Sequence, residues 1–172
     1  TDAQELNDNI HRKTQDINDK LELVRSLQKN EQTIQSIVDT SMQSKPQSKL
    51  NQLQTVITKL QTKIDRIDKD SAFYDDNKEC PTCRQDISVE VRDRIVSANI
   101  QERIKLTDAI SEASSYTHEY VDSMRVVDTR RKHIQSLQQS IFKYETEISS
   151  LQSDVRRCER KLNELHQDSG SV

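Results

Sequence analysis

The sequence predicts an all-α protein, a long antiparallel coiled-coil hairpin, on three observations. Turn-forming residues are nearly absent, aliphatic side chains recur at intervals of three and four along most of the chain, and two cysteines stand together where that pattern stops. Glycine occurs once, at Gly170, and proline twice, at Pro46 and Pro81, so tight turns have little raw material and the elements must be few and long. Aromatics are 3% of the 172 residues, and Gln, Lys, Glu, Asp and Ser separate single aliphatics, which is not the alternation of a strand. With 31% hydrophobic and 32% charged residues a large globular core is excluded, and apolar surface has to be buried as narrow stripes between helices.

The ascending helix is expected over residues 1–72, with a break near 41–49. Ile10, Ile17, Val24 and Val38 lie on a sevenfold lattice with Leu21, Leu27 and Ile34 beside it. Leu50, Leu53, Ile57, Leu60, Ile64 and Ile67 then step by three and four. Between these runs Pro46 removes a backbone donor and disfavours the helical conformation of Lys45, which predicts the break. A turn over 73–87 carries the cysteines, and Ser88, followed by Glu90, is placed to cap the next helix.

The descending helix is expected over 88–168, leaving a tail at 169–172. Leu106, Ala113, Tyr120, Val127, Ile134, Ile141, Ile148, Val155 and Leu162 fall seven apart and define a heptad position a. The matching d positions are Ala109, Tyr116, Ser123, Arg130, Leu137, Tyr144, Leu151, Cys158 and Leu165, which are weak before Leu137. Tyr116, Tyr120 and Tyr144 are read as seam residues, and Cys158 as a small apolar core residue. Pro46 and His118 are about equally distant from Thr82, so paired arms would set the break against the weak zone from Ser111 to Arg131. A spectrin-like three-helix bundle is disfavoured, because the third segment is far longer than the second.

A net charge of −3 argues against binding nucleic acid by bulk electrostatics, so no direct nucleic-acid site is expected in this segment. The basic runs Arg130-Arg131-Lys132-His133 and Arg156-Arg157 are interleaved with acids and read as solvated helix faces. No apolar run approaches the ~18 residues of a membrane span, and Thr1-Asp2-Ala3-Gln4 has no signal-peptide character. The expected location is cytoplasmic. Ser114 and His118 sit one helical turn apart, but without a pocket they read as coiled-coil surface rather than nucleophile and base. No enzymatic activity is expected.

The turn reads Asn77-Lys78-Glu79-Cys80-Pro81-Thr82-Cys83-Arg84-Gln85-Asp86. Cys-x-x-Cys suits zinc because two intervening residues form a knuckle that brings both sulfurs ~2.3 Å from one tetrahedral ion. Two ligands are still missing. Cys158 lies about 75 residues along the descending helix, roughly 110 Å away at ~1.5 Å per residue. His11, His118, His133 and His166 are remote by the same argument. The remaining ligands must therefore come from another molecule, and a homodimer through the turn, with one Zn²⁺ shared by Cys80 and Cys83 of two chains, is the simplest completion. Lys78 and Arg84 would offset the roughly two negative charges of a four-thiolate site, and Phe73, Tyr74 and Ile87 would supply apolar contacts.

Cys80-Pro81-Thr82-Cys83 between two heptad arms resembles the zinc hook of the SMC-like double-strand-break repair ATPases, the SbcC type, and in character its phage branch, the large subunits of recombination endonucleases. The resemblance implies an arm segment of a larger protein whose ATPase heads, nuclease subunit and DNA lie outside this chain, and whose hooks tether DNA by joining arms. Many relatives carry glycine after the second cysteine; here Arg84 stands there, so the local turn is expected to differ. Two alternatives stay open: a dithiol redox pair, and a plain coiled-coil spacer whose cysteines are incidental.

Overall fold

The computed structural model describes residues 2–170, which are helical outside two short interruptions. Helix α1 spans Ala3–Met42, α2 Pro46–Asp76 and α3 Val89–Ser169. The first two are separated by a break, and each packs on the third. Of the tail expected at 169–172, Ser169 still belongs to α3, while Ser171 and Val172 lie outside the described residues. The chain forms two compact units: one combines α1 with α3 from Val127 onward, the other combines α2, the turn and α3 up to Val126.

In the first unit the α1 stripe Leu6, Ile17, Val24 and Val38 is buried. Ile17 and Val24 pack with Ile141 and Ile148, bordered by Leu21, Leu27, Tyr144, Leu151 and Val155. Val38 packs with Val127 and Ile134, bordered by Ile34 and Met42. Long helices gain little from propensity alone, and burial of this shared stripe is what holds the pair. Lys13 meets Asp154 at 3.0 Å, Lys20 meets Glu147 at 3.7 Å, and Gln138 donates to Glu31 at 2.7 Å. Numbers rising along α1 fall along α3, so the two segments run in opposite directions. Such partly exposed pairs matter more for register than for stability.

In the second unit Pro46, Ile64, Leu106 and Ala113 are buried. Arg103 bonds Asp68 at 2.8 Å, and Asn99 donates to Asp70 at 2.9 Å and to Ser71 at 3.1 Å, again in opposite directions. Lys49 lies 5.6 Å above the Tyr120 ring. At the start of α2, Pro46 excludes Lys45 from the right-handed helical region, and Lys45 adopts a left-handed conformation at φ 50° and ψ 57°. Pro46 itself takes the first turn of α2, where a missing N–H costs nothing.

The heptad reading needs one correction in this unit. Tyr116 is 47% exposed and Ser123 is exposed, whereas Ile110, Thr117 and Met124 are half-buried. For Ala113 and Tyr120 the half-buried companion therefore falls four residues later rather than three, whereas Leu106 has half-buried residues at both spacings, Ala109 and Ile110. That choice covers Met124 rather than Ser123 and Thr117 rather than Tyr116, which turns outward. Thr117 is accommodated because its hydroxyl donates to the Ala113 carbonyl at 3.0 Å. From Val127 onward Leu137, Tyr144 and Leu151 resume the expected spacing.

Candidate metal centre

The cysteines sit in the connection between α2 and α3, within the second unit. Helix α2 ends where Asn77 turns extended, its amide and its side-chain Nδ2 both donating to the Phe73 carbonyl. Two short segments then pair in antiparallel fashion. Glu79 bridges Asp86, the Ile87 amide donates to the Lys78 carbonyl, and the Cys80 amide donates to the Gln85 carbonyl, both at 2.8 Å. Inside this clasp the Arg84 amide donates to the Cys80 carbonyl at 2.8 Å, which closes a loop over Pro81, Thr82 and Cys83. Pro81 fixes φ at a position where no donor is needed. Ser88 caps α3 as its place in the sequence predicts, its hydroxyl accepting from the Val91 amide at 3.2 Å.

Arg84 is left-handed at φ 58°, in the region that glycine enters without penalty. The turn thus reaches a glycine-like conformation without glycine, at a cost of about 1–2 kcal/mol. Sequence reasoning singled out Arg84 for its charge and for the missing glycine. The backbone roles of Gln85 and Lys78 were not legible, since carbonyl and amide pairing leaves no side-chain signature.

Cys80 is half-buried and Cys83 exposed, both as free thiols. The backbone amide of Cys83 and then that of Thr82 donate to the Cys80 sulfur, with the Cys83 thiol and the Thr82 hydroxyl adding to them. Together they hold the Cys80 pKa below the ordinary thiol value, against a smaller upward push from burial. Phe73 and Tyr74 meet edge to face at 5.2 Å. With Ile87 and Val91 they line an open depression beside the two thiols. Lys78 and Arg84 are both exposed on the same turn.

Among the described residues no group of three or more His, Cys, Asp or Glu side chains is arranged to hold a metal. The donors present are two soft thiols in one knuckle, which fit half of a tetrahedral thiolate site and no more. Cys158 lies in the other unit, half-buried on α3. Ser114 is half-buried and His118 exposed along α3. No described helix is long and apolar enough to cross a membrane.

No protein-family model, curated protein or solved structure matches this chain.

Proposed function

We propose that this chain is a tethering arm, an antiparallel coiled-coil hairpin whose apex carries half of a zinc site and dimerises by sharing one Zn²⁺ with a second copy. The observation that carries the reading is the Cys80–Cys83 knuckle: two thiols held by backbone hydrogen bonds at the connection of two long helices, with no third ligand beside them among the described residues. The ion would supply a four-coordinate thiolate junction that links two chains. Within one chain, the amides of Cys83 and Thr82 favour the thiolate of Cys80, which is the ligating form. Lys78 and Arg84 offset the negative charge of the completed site. By its resemblance to the hooks of double-strand-break repair ATPases, such an arm serves DNA repair and recombination, with the ATPase heads, nuclease and DNA contacts carried elsewhere and no catalysis in the arm itself.

The test is zinc content per chain, by elemental analysis after removal of loosely bound metal, together with the association state. Half a zinc per chain in a dimer supports the reading, and a zinc-free protein with intact thiols overturns it. One observation favours a second reading: a lowered Cys80 pKa beside a second thiol also suits a dithiol redox pair. That pair would cycle between dithiol and internal disulfide with a low-molecular-weight thiol buffer and would hold no metal.

A further inference from the structure

The acids and bases that alternate along the sequence of the first unit are sorted by helix α3. Val127, Ile134, Ile141, Ile148 and Val155 pack toward α1, so the residues one, two and five places after each of them point away from it. From Thr129 to Arg160 these outward positions carry Lys132, Lys143, Arg156, Arg157 and Arg160 but no Asp or Glu, and all of them are exposed. Asp128 and Glu164 mark the ends of the stripe, and the other acids lie at its sides. Glu147 and Asp154 are half-buried and meet Lys20 and Lys13 of α1, while Glu145 and Glu159 flank the stripe. Arg157 is engaged by Asp154 at 3.6 Å, and Lys143 stands 5.8 Å from the Tyr144 ring. Lys132, Arg156 and Arg160 make no ion pair among the described residues. The outward face of α1 shows no such sorting: Asp8, Asp19 and Glu22 are mixed there with Arg12, Arg25 and Lys29.

We propose that this stripe binds the phosphate backbone of duplex nucleic acid without reading its sequence. The net charge of −3 describes the whole chain, but charges beyond ~8 Å are screened at physiological salt, so a polyanion laid on this face meets chiefly the charges of the face itself. Lys132 to Arg160 span about 42 Å of continuous helix at ~1.5 Å per residue. A duplex offers one charge per ~1.7 Å of its axis, so about twelve base pairs lie alongside. Between the cations the stripe presents amides and hydroxyls, among them Gln139, Ser149 and Ser153, which are side chains that bond phosphate oxygens. Phe142 is its one aromatic residue, and it carries no aliphatic. A single strand therefore finds no row of stacking partners, and a bilayer finds little to take into its apolar layer. The cations are few, so binding is weak and salt-sensitive. The inference stands independently of the thiol knuckle, which lies in the other unit.

The experiment titrates a labelled mixed-sequence duplex of ~20 base pairs with the full chain and reads fluorescence anisotropy between about 50 and 200 mM salt. Wild type is compared with Lys132→Gln/Arg156→Gln/Arg160→Gln on the stripe and with Arg12→Gln/Arg25→Gln/Lys29→Gln on the outward face of α1, which removes the same charge. All six positions are exposed, so the helical signal stays at the wild-type level. With the three unpaired cations and Lys143 each meeting a phosphate, log K of wild type should fall with log salt at a slope of about −3 to −4. The stripe variant should lower that slope to about −1 and raise Kd about tenfold or more at the low-salt end, while the α1 variant keeps the wild-type slope. No binding at ~50 mM salt with ~100 μM chain overturns the proposal. A stripe variant that binds like wild type also overturns it. So does a single strand of the same length bound more tightly than the duplex. Capture by anionic phosphatidylserine vesicles without duplex binding, lost in the stripe variant, overturns it in favour of a membrane surface.

Discussion

The amide of Arg84 donates to the carbonyl of Cys80 at 2.8 Å while Arg84 itself stands at φ 58°, so the loop that carries both thiols is closed by a residue in a left-handed conformation. Arg84→Gly removes the steric penalty of about 1–2 kcal/mol, partly offset by the greater freedom of glycine in the unfolded chain. Arg84→Val leaves a β-branched side chain where it fits worst. The expected outcome is zinc retention equal to or tighter than wild type for Gly and weaker for Val. Competition with a chromogenic chelator measures both.

If the knuckle holds zinc as proposed, acid should release it, because thiolates bind metal and thiols do not. The Cys80 pKa is depressed in the folded chain, so its ligating form is fully available above the ordinary thiol pKa and is lost as pH falls through the depressed value; bound metal moves that loss lower still. Cys83→Ser should abolish zinc binding at every pH while the helical signal persists, because α2 and α3 are held by contacts away from the loop. A pH titration of released zinc, read beside circular dichroism, checks both statements.

The Asp154 carboxyl is held below its ordinary pKa chiefly by the hydrogen bond from Lys13, then by that residue's charge, with Arg157 adding a smaller share. The sign follows: this contribution is complete above the ordinary carboxylate pKa and is lost as pH falls through the lowered value. Asp154→Asn should lower the denaturation midpoint near neutrality, and the gap to wild type should close in strong acid. Urea melts across the acid range decide it.

Core and surface aliphatics should respond very differently. Ile141 is buried between Ile17, Val24 and Ile148, so Ile141→Ala should destabilise by about 2–5 kcal/mol through lost burial and a cavity. Val126, 50% exposed, should tolerate alanine within about 0.5 kcal/mol. Guanidinium denaturation of the two variants gives the comparison.

Lys45→Gly should stabilise the break between α1 and α2 by about 1 kcal/mol, since glycine enters the left-handed region that Lys45 occupies at φ 50°. Pro46→Ala removes the restraint on Lys45, and the expected outcome is helical signal extending through residues 43–45. Chemical denaturation and amide exchange at these positions measure the two effects.

The sequence by itself determined the three helices, the break at Pro46 and the position of the thiol pair, because each depends on local chemistry. Periodic aliphatics need a shared stripe, proline restricts the residue before it, and paired thiols without turn residues elsewhere mark the connection. Tertiary structure decided which neighbour of each heptad residue is covered between Ala113 and Val127, where Thr117 and Met124 displace Tyr116 and Ser123 and Tyr116 turns outward. It also decided that Lys45 and Arg84 are left-handed, and that Val89, Ile100 and Ile104 are exposed. The physical reason is common to all three: periodicity ranks residues along one helix, but burial depends on the facing surface, and a backbone takes a strained φ only where hydrogen bonds and packing from other segments hold it there.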